Sequence, residues 1–338
     1  MFAKVPCECI YLNIRRPRLS LNPMVQVPCL LGLIPMLVRL RHIARHKSID
    51  LIHYNECLDF VVGLVARSCR FPVVCHVRAD GWPIWVQYIL RGALRLFADI
   101  IIVPSNSTAE WIRNRSKELA SRIRVIPDHA FDIGPYDPTL PGGTFREELR
   151  ISEEAPLVIM VAKLQPDKGH LQFIRMAEIV HEHSKSTRFV IVGGPVEGHP
   201  REAQEIVRLG ASAVKQGYLH MVGTRQDLPS VFSACDVFVH CPTYPDPYPT
   251  VVLLAMLMGK PAVCSRTGGM LEQIDDGITG ILIPPDSPGS MASAVLDLIA
   301  SPNRRRELGQ AAIRKARDLY DPSGQARSIR REYEALVR

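Results

Sequence analysis

Short apolar runs alternate with helix-like segments along most of the chain, and this alternation constrains the fold more than any other feature. In the second half, the apolar runs are 157–161, 189–192, 237–240 and 280–283. Segments with helical spacing of apolar residues, such as 170–183 and 303–319, lie between or after them. Strands that alternate with helices in this way predict a parallel sheet with crossover helices, so we expect an α/β fold.

The same alternation occurs once before a Pro/Gly-rich segment and once after it. Before it, apolar runs at 71–77, 100–103 and 124–126 frame a predicted helix at 109–119, and 10–14 is a further candidate strand. The segment 138–143 (PTLPGG) has the composition of a linker. We therefore predict two Rossmann-like, doubly wound domains facing each other across a cleft. We assign them to residues 1–140 and 141–320, with a C-terminal helix, 321–338, that packs back toward the first domain.

Charge is unevenly distributed along the 338 residues. The net charge is +7, and residues 1–150 carry all of it, with 20 Lys and Arg against 13 Asp and Glu. Such a bias suits an anionic membrane surface, an anionic substrate or simply a solvated basic face. Neither zinc-finger spacing nor an RNA-recognition signature is present, so we do not expect a nucleic-acid partner.

Cysteine usage indicates a reducing compartment. The nine cysteines are scattered and form no CxxC pair. This pattern argues against a disulfide framework and against a cysteine metal site. The N-terminus shows no apolar signal-peptide core. We expect a cytoplasmic protein, with a peripheral position on the inner membrane face left open.

Two segments of the N-terminal half are candidates for lipid contact. Residues 31–46 form a basic amphipathic helix pattern, and residues 82–97 combine aromatic with basic side chains. The aromatic residues are Trp82, Trp85 and Tyr88, and the basic ones are Arg91 and Arg95. Each segment could equally pack on a parallel sheet, and the sequence alone leaves both alternatives open.

The stretch 244–261, YPDPYPTVVLLAMLMGKP, reads as a loop, a buried helix and a stop signal. Its three alternating prolines exclude both a helix and a central strand, and Gly259 with Pro261 ends the apolar helix that follows. A helix that begins after such a loop, beside the glycine-rich turn 267–269, presents backbone N–H donors suited to phosphate. An ordinary βαβ crossover with tight turns would have the same sequence pattern.

Five ordered motifs of the second half carry a family resemblance. They are KLQPDKG (163–169), Gly193-Gly194, Gly223 followed by DLPSVFSACDVFVH, DPYPTVVLLAMLMGKP and TGGMLEQIDDGITGILIPP. Over about residues 155–320 the chain resembles the retaining family-4 glycosyltransferases of the GT-B fold, also called glycosyl transferases group 1. The resemblance implies transfer of a sugar from a nucleotide-sugar donor to an acceptor hydroxyl, with retention of configuration and without a metal or other cofactor.

The resemblance also implies residue roles. Lys163 and Lys168 would hold the donor diphosphate and balance the charge of the leaving group. Asp246 would address the donor sugar, and Arg78 or His76 would take the place of the family's histidine near the reacting sugar. The predicted donor-binding set is completed by Tyr248, Pro249, Thr250, Thr267, Gly268, Gly269 and Glu272.

Two departures from the family pattern bear on activity. Leu254 stands where the family has a second glutamate that binds the nucleotide ribose, which predicts reduced nucleotide affinity or activity. The usual opening strand and glycine-rich loop are absent, as if the first βα unit were missing or replaced. We therefore expect a glycosyltransferase acting on a glycan or lipid-linked acceptor in polysaccharide or cell-envelope glycan biosynthesis. A degenerate, glycosyltransferase-like binding protein and a GT-B nucleotide-sugar epimerase remain alternatives.

Overall fold

The computed structural model describes residues 23–79, 82–114, 116–128, 131–196 and 200–337, so the candidate strand at 10–14 lies outside the described residues. These residues form two compact units. The first unit contains the described residues up to Val103, those of 109–126 and those from Ser328 onward. The second contains Pro104–Thr108 and Pro127–Arg327. The domain boundary at residues 140–141 stays a prediction.

The helices fall into a set before residue 130 and a set after it. The first set is α1 (Pro23–His46), α2 (Phe60–Ser68), α3 (Ile84–Phe97), α4 (Asn106–Arg113) and α5 (Lys117–Arg122). The second set is α6 (Gly143–Glu148), α7 (His170–His183), α8 (Pro200–Lys215), α9 (Leu228–Ala234), α10 (Thr250–Leu257), α11 (Met270–Gln273), α12 (Pro288–Ala300), α13 (Pro302–Leu319) and α14 (Pro322–Val337). Short 3₁₀ helices span Cys57–Asp59 and Pro166–Lys168.

The sheet of the first unit has four parallel strands in sequential order. They are β1 (Ile52–Tyr54), β2 (Val73–His76), β3 (Ile100–Val103) and β4 (Ile123–Val125). One face of this sheet packs on α14, where Ile329, Tyr333 and Leu336 cover the buried side chains of Val74 and Ile102. The C-terminal helix therefore ends within the first unit.

The sheet of the second unit has six parallel strands, in the order β10-β9-β8-β5-β6-β7. They are β5 (Leu157–Val161), β6 (Arg188–Val192), β7 (Leu219–Met221), β8 (Val237–His240), β9 (Ala262–Ser265) and β10 (Gly280–Ile283). Starting from β5, the chain builds outward through β6 and β7 and then returns to place β8 on the other side of β5. The strand order thus reverses between β5 and β8, and in open α/β sheets ligands bind at such a point.

The predicted α/β class is confirmed, whereas one helix prediction is wrong. The pattern at 109–119 predicts one helix, but the structure has two, because α4 ends at Arg113 and α5 begins at Lys117. The Ser116 side chain accepts a hydrogen bond from the Leu119 backbone N–H and so caps a new helix at this point. None of the described helices combines the length and the hydropathy that crossing a bilayer would require.

Candidate active site

Two loops of the second unit meet at the point where its strand order reverses. The loop after β5 contains the 3₁₀ helix that ends at Lys168, and the proline-rich loop after β8 contains Asp246. The Lys168 ammonium Nζ lies 2.7 Å from Asp246 Oδ2. Because the carboxyl ends of β5 and β8 are adjacent, two residues 78 positions apart form a charge-assisted hydrogen bond.

A glycine next to Lys168 permits this close approach. Gly169 has a φ of +80°, and a Cβ at this position would lie 1.7 Å from the Cys241 carbonyl oxygen. Any side chain here would push the two loops apart, and the left-handed φ would add strain. Packing of the two loops therefore explains why the KLQPDKG motif ends in glycine, whether or not a ligand binds.

Asp246 is ionised despite its burial. Burial alone would raise the pKa of its carboxyl, but the neighbouring His240 imidazole and the Lys168 ammonium outweigh that cost. Together they hold the pKa of Asp246 well below its usual range. His240 Nε2 lies 3.4 Å from the same oxygen, Oδ2, that Lys168 binds. Lys168 and His240 thus both approach the carboxylate at Oδ2.

A second buried histidine lies on the Lys168 side of the site. His170 is the first residue of α7, and its Nδ1 lies 3.2 Å from the Gln165 carbonyl oxygen, which identifies Nδ1 as the protonated nitrogen. Only 1% of His170 is exposed, and burial lowers its pKa to about 4. The imidazole is therefore neutral at pH 7.

The depressed pKa of His170 makes stability depend on pH. Between about pH 6.5 and pH 4 the unfolded chain takes up a proton that the folded chain excludes, so the free energy of unfolding falls as pH falls through this window. We expect a loss of about 3 kcal/mol from this group. His170→Asn keeps a donor for Gln165 but cannot titrate, so urea unfolding of this variant should show a flatter pH profile. His183→Asn, at an exposed histidine of the same helix, should leave the profile unchanged.

The Thr267–Gly269 turn packs directly on the Asp246 loop. The Gly269 N–H donates to the Asp246 carbonyl oxygen at 2.8 Å. Gly268 has a φ of +59°, and a Cβ there would lie 2.3 Å from that same carbonyl oxygen. The turn therefore positions the backbone of Asp246, and its approach to a sugar phosphate stays a prediction.

The loop leads from Asp246 into α10. Thr250 is the first residue of α10, and the Pro249 carbonyl oxygen accepts from the Gln273 side-chain amide at 3.2 Å. Tyr248 is buried. Its burial raises its pKa to about 12, and the negative charge of Glu272 is a smaller cause of the same shift. Glu272 itself accepts hydrogen bonds from the Asn106 backbone N–H at 2.8 Å and from the Asn106 side-chain amide at 3.0 Å.

A cavity of about 430 Å³ lies at the carboxyl ends of β5 and β6. Its lining includes Lys163, Gly193, Gly194, Thr224, Arg225 and Val251. Lys163 is exposed at this cavity, where its ammonium can meet an anion. Leu254 is only 4% exposed and belongs to the apolar core, and α10 contributes apolar Val251 to the cavity wall.

The structure groups the predicted site residues in two places. Lys168, Asp246 and the Thr267–Gly269 turn lie together in the second unit, and Lys163 lines a cavity of that unit. His76 and Arg78 belong to the first unit. His76 is buried at the end of β2, and Arg78 is exposed two residues beyond that strand.

Three residues near the site were not predicted from the sequence: His170, Arg225 and His240. The signal for His240 is a histidine that ends an otherwise apolar strand at the ligand-binding edge of the sheet. Arg225 follows a glycine after β7, and it binds Glu148 at 2.6 Å and Asp227 at 2.7 Å. No motif marks these contacts, because they depend on the path of the loops: Arg225 meets Glu148, 77 residues away, and His240 meets Asp246 only after the chain between them turns back.

Comparison with known families decides the assignment. The family model described as glycosyl transferases group 1 matches residues 143–315, more than half of the chain, and the Glycosyltransferase Family 4 model matches residues 6–128. The chain belongs to the glycosyl transferases group 1 family. This glycosyltransferase family is the one that the five motifs predict, so that prediction is confirmed.

Named relatives support the assignment. The chain is 28% identical to D-inositol 3-phosphate glycosyltransferase of Corynebacterium efficiens, over 80% of this chain and 68% of the relative. It is 25% identical to N,N'-diacetylbacillosaminyl-diphospho-undecaprenol alpha-1,3-N-acetylgalactosaminyltransferase of Campylobacter jejuni, over 75% of this chain and 65% of that protein. The chain thus spans about two thirds of the length of these curated relatives.

A solved structure confirms the fold. HepE of Anabaena, crystallised with UDP and glucose, superposes with a TM-score of 0.80 at 24% identity, covering 90% of this chain and 83% of that one. The predicted GT-B fold is therefore confirmed.

Proposed function

We propose that this member of the glycosyl transferases group 1 transfers a sugar from a nucleotide-sugar to an acceptor hydroxyl, with retention of anomeric configuration. The observation that carries the proposal is the Lys168–Asp246 pair at the point where the strand order reverses. A cation for a diphosphate and a carboxylate for sugar hydroxyls stand side by side there. A donor that contains both groups is the ligand that fits.

The chemistry follows from the charges. As the glycosidic bond breaks, negative charge develops on the leaving nucleoside diphosphate, and Lys168 with Lys163 would stabilise it. The ionised Asp246 accepts hydrogen bonds from donor-sugar hydroxyls and so orients the sugar. In this proposal the two ammonium groups balance the diphosphate, and no metal ion is needed.

Acceptor and cellular role are proposed from the relatives. One relative is named for inositol 3-phosphate and another for a diphospho-undecaprenol acceptor. We propose a glycan or lipid-linked acceptor, a role in polysaccharide or cell-envelope glycan biosynthesis, and a cytoplasmic protein attached peripherally to the inner membrane face. The basic first half of the chain supports the attachment.

An Asp246→Asn variant tests the role of the carboxylate. We expect UDP, GDP or ADP, whichever the protein binds in calorimetry, to bind this variant about fivefold more tightly, because Lys168 loses a competing anion. Sugar transfer should fall about a hundredfold, because the amide is a weaker acceptor for the sugar hydroxyls. A parallel loss of nucleotide binding would contradict this division of roles.

Two results would overturn the proposal. An early product whose anomeric proton shows inversion in NMR would exclude the retaining assignment. If the chain binds none of the three nucleotides, a degenerate binding protein is favoured. The buried Leu254 motivates this alternative.

A further inference from the structure

Helix α3 in the first unit is apolar on both of its sides. Its inner side packs in the core through Val86, Leu90, Ala93 and Leu94. Its outer side is also apolar, which is unusual because a surface helix normally turns charged or polar residues to water. The outer side therefore needs a separate explanation.

The outer side of α3 presents five large side chains to solvent. Their exposed fractions are 59% for Ile84, 48% for Trp85, 68% for Tyr88, 55% for Ile89 and 62% for Leu96. At 100° per residue they fall within an arc of about 140°, which also holds Gly92 and Arg95. The helix sequence contains no acidic residue. A contiguous exposed apolar surface of this kind marks an interaction site.

A polar cavity adjoins this surface. It has a volume of about 450 Å³ and lies between α3 and the turn that joins α4 to α5. Its lining is Tyr88, Arg91, Gly92, Arg95, Asn114, Ser116 and Leu119. Tyr88 and Gly92 belong both to the cavity and to the outer side of α3, so the two features are continuous.

Two arginines give the cavity its charge. The Arg91 guanidinium lies 4.8 Å over the Tyr88 ring, and its Nη1 donates to the Trp111 carbonyl oxygen at 2.9 Å. An arginine guanidinium has five N–H donors. Within the described part of the chain, the Arg91 side chain uses one of them, for the hydrogen bond to Trp111. Arg95 binds Glu118 at 2.9 Å, but both partners are about half exposed, and such a pair is weak enough for an anion to replace.

The surroundings of the cavity are basic as well. Arg113, the last residue of α4, and Lys117, the first residue of α5, are exposed next to the lining residues Asn114 and Ser116. Arg91, Arg95, Arg113 and Lys117 carry four positive charges, and the negative charge of Glu118 is shared between Arg95 and Arg122. An anionic ligand is therefore complementary to the cavity, and an apolar one to the adjacent helix surface.

We propose that the outer side of α3 and the Arg91–Arg95 cavity form a docking site for an anionic phospholipid bilayer. The apolar side chains enter the boundary between headgroups and acyl chains, and a lipid phosphate occupies the cavity. Trp85 and Tyr88 suit this boundary because each has an apolar ring with a polar end. The site deepens the peripheral attachment of the proposed function, on which it rests, but uses none of the donor-site residues.

Vesicle flotation of the full chain tests this site. We expect the protein to float with vesicles of phosphatidylcholine and phosphatidylglycerol and to bind vesicles of phosphatidylcholine alone more weakly. Trp85→Ser combined with Ile89→Ser should reduce partitioning about tenfold. Arg95→Gln should reduce it about fivefold on anionic vesicles only. The matched control, Val207→Ser with Val214→Ser, changes two exposed apolar residues of α8 and should leave flotation unchanged.

Three outcomes would overturn the site. They are no flotation of the wild-type chain, equal flotation of the α3 double variant, and a dimer in sedimentation velocity that the α3 variant converts to monomer without any vesicle binding. The last result would make α3 a subunit interface. The α3 variant should bind UDP in calorimetry with the affinity of the wild type. A loss of lipid docking can therefore be distinguished from a loss of nucleotide binding.

Discussion

Replacing Lys168 with alanine should lower the rate constant for sugar transfer about a hundredfold to a thousandfold and weaken nucleoside diphosphate binding at least about tenfold. Lys168 would stabilise the leaving diphosphate, and it also neutralises Asp246, whose Oδ2 lies 2.7 Å from its Nζ. Its removal therefore deletes a cation and leaves a carboxylate that repels the ligand. Calorimetry with UDP and initial-rate measurements with the matching nucleotide-sugar give the two values.

Lys185→Ala is the matched control. Lys185 is an exposed lysine in the turn before β6, at the opposite edge of the same sheet from the site. We expect its affinity and rate to equal those of the wild type. If Lys168→Ala also behaves like the wild type, Lys168 does not contact the donor, and the proposed site is wrong.

Replacing Gly268 with alanine should reduce transfer about a hundredfold or more while the protein still folds. The new Cβ would lie 2.3 Å from the Asp246 carbonyl oxygen and 2.7 Å from its backbone nitrogen, at a φ of +59°. The Asp246 loop must shift to remove this contact, so the carboxylate leaves its position between Lys168 and His240. We expect a loss of about 2–3 kcal/mol in the free energy of unfolding, measured in urea.

A second glycine separates steric displacement from a general effect of alanine. Gly289 lies in the first turn of α12, and a Cβ there would meet nothing within 4 Å. Gly289→Ala should therefore be neutral or stabilising by up to about 1 kcal/mol, with full activity. Wild-type turnover in Gly268→Ala would show that the position of Asp246 does not control transfer.

The fold of the second unit could be predicted in detail because its strands are apolar runs bounded by turn residues. The predicted bounds of β5, β8 and β10 agree with the observed ones. The apolar pattern was less informative in the polar segment that contains α4 and α5, because it did not show where one helix ends and the next begins. The pattern at 109–119 has no break, and the separation of α4 from α5 depends on a hydrogen bond of one serine side chain.

The site could be predicted only in part, because periodicity describes strands and helices but not the path of a loop. The motifs predicted Lys168 and Asp246 as donor-site residues, but they do not show that the two form an ion pair. His240 lies six residues before Asp246, and its approach to that carboxylate depends on how Pro242 and Pro245 turn the intervening loop. Such contacts follow from three-dimensional packing alone.

The ion pair of Lys168 and Asp246 has a consequence for selectivity. A lysine whose charge is already balanced by a neighbouring carboxylate presents little net field to a passing anion. Inorganic phosphate would have to separate the pair and would leave Asp246 uncompensated. A molecule that brings an anion for the lysine and hydroxyl groups for the carboxylate satisfies both at once. If the pair binds the donor as proposed, we expect the site to prefer an intact donor over its fragments before any bond is broken.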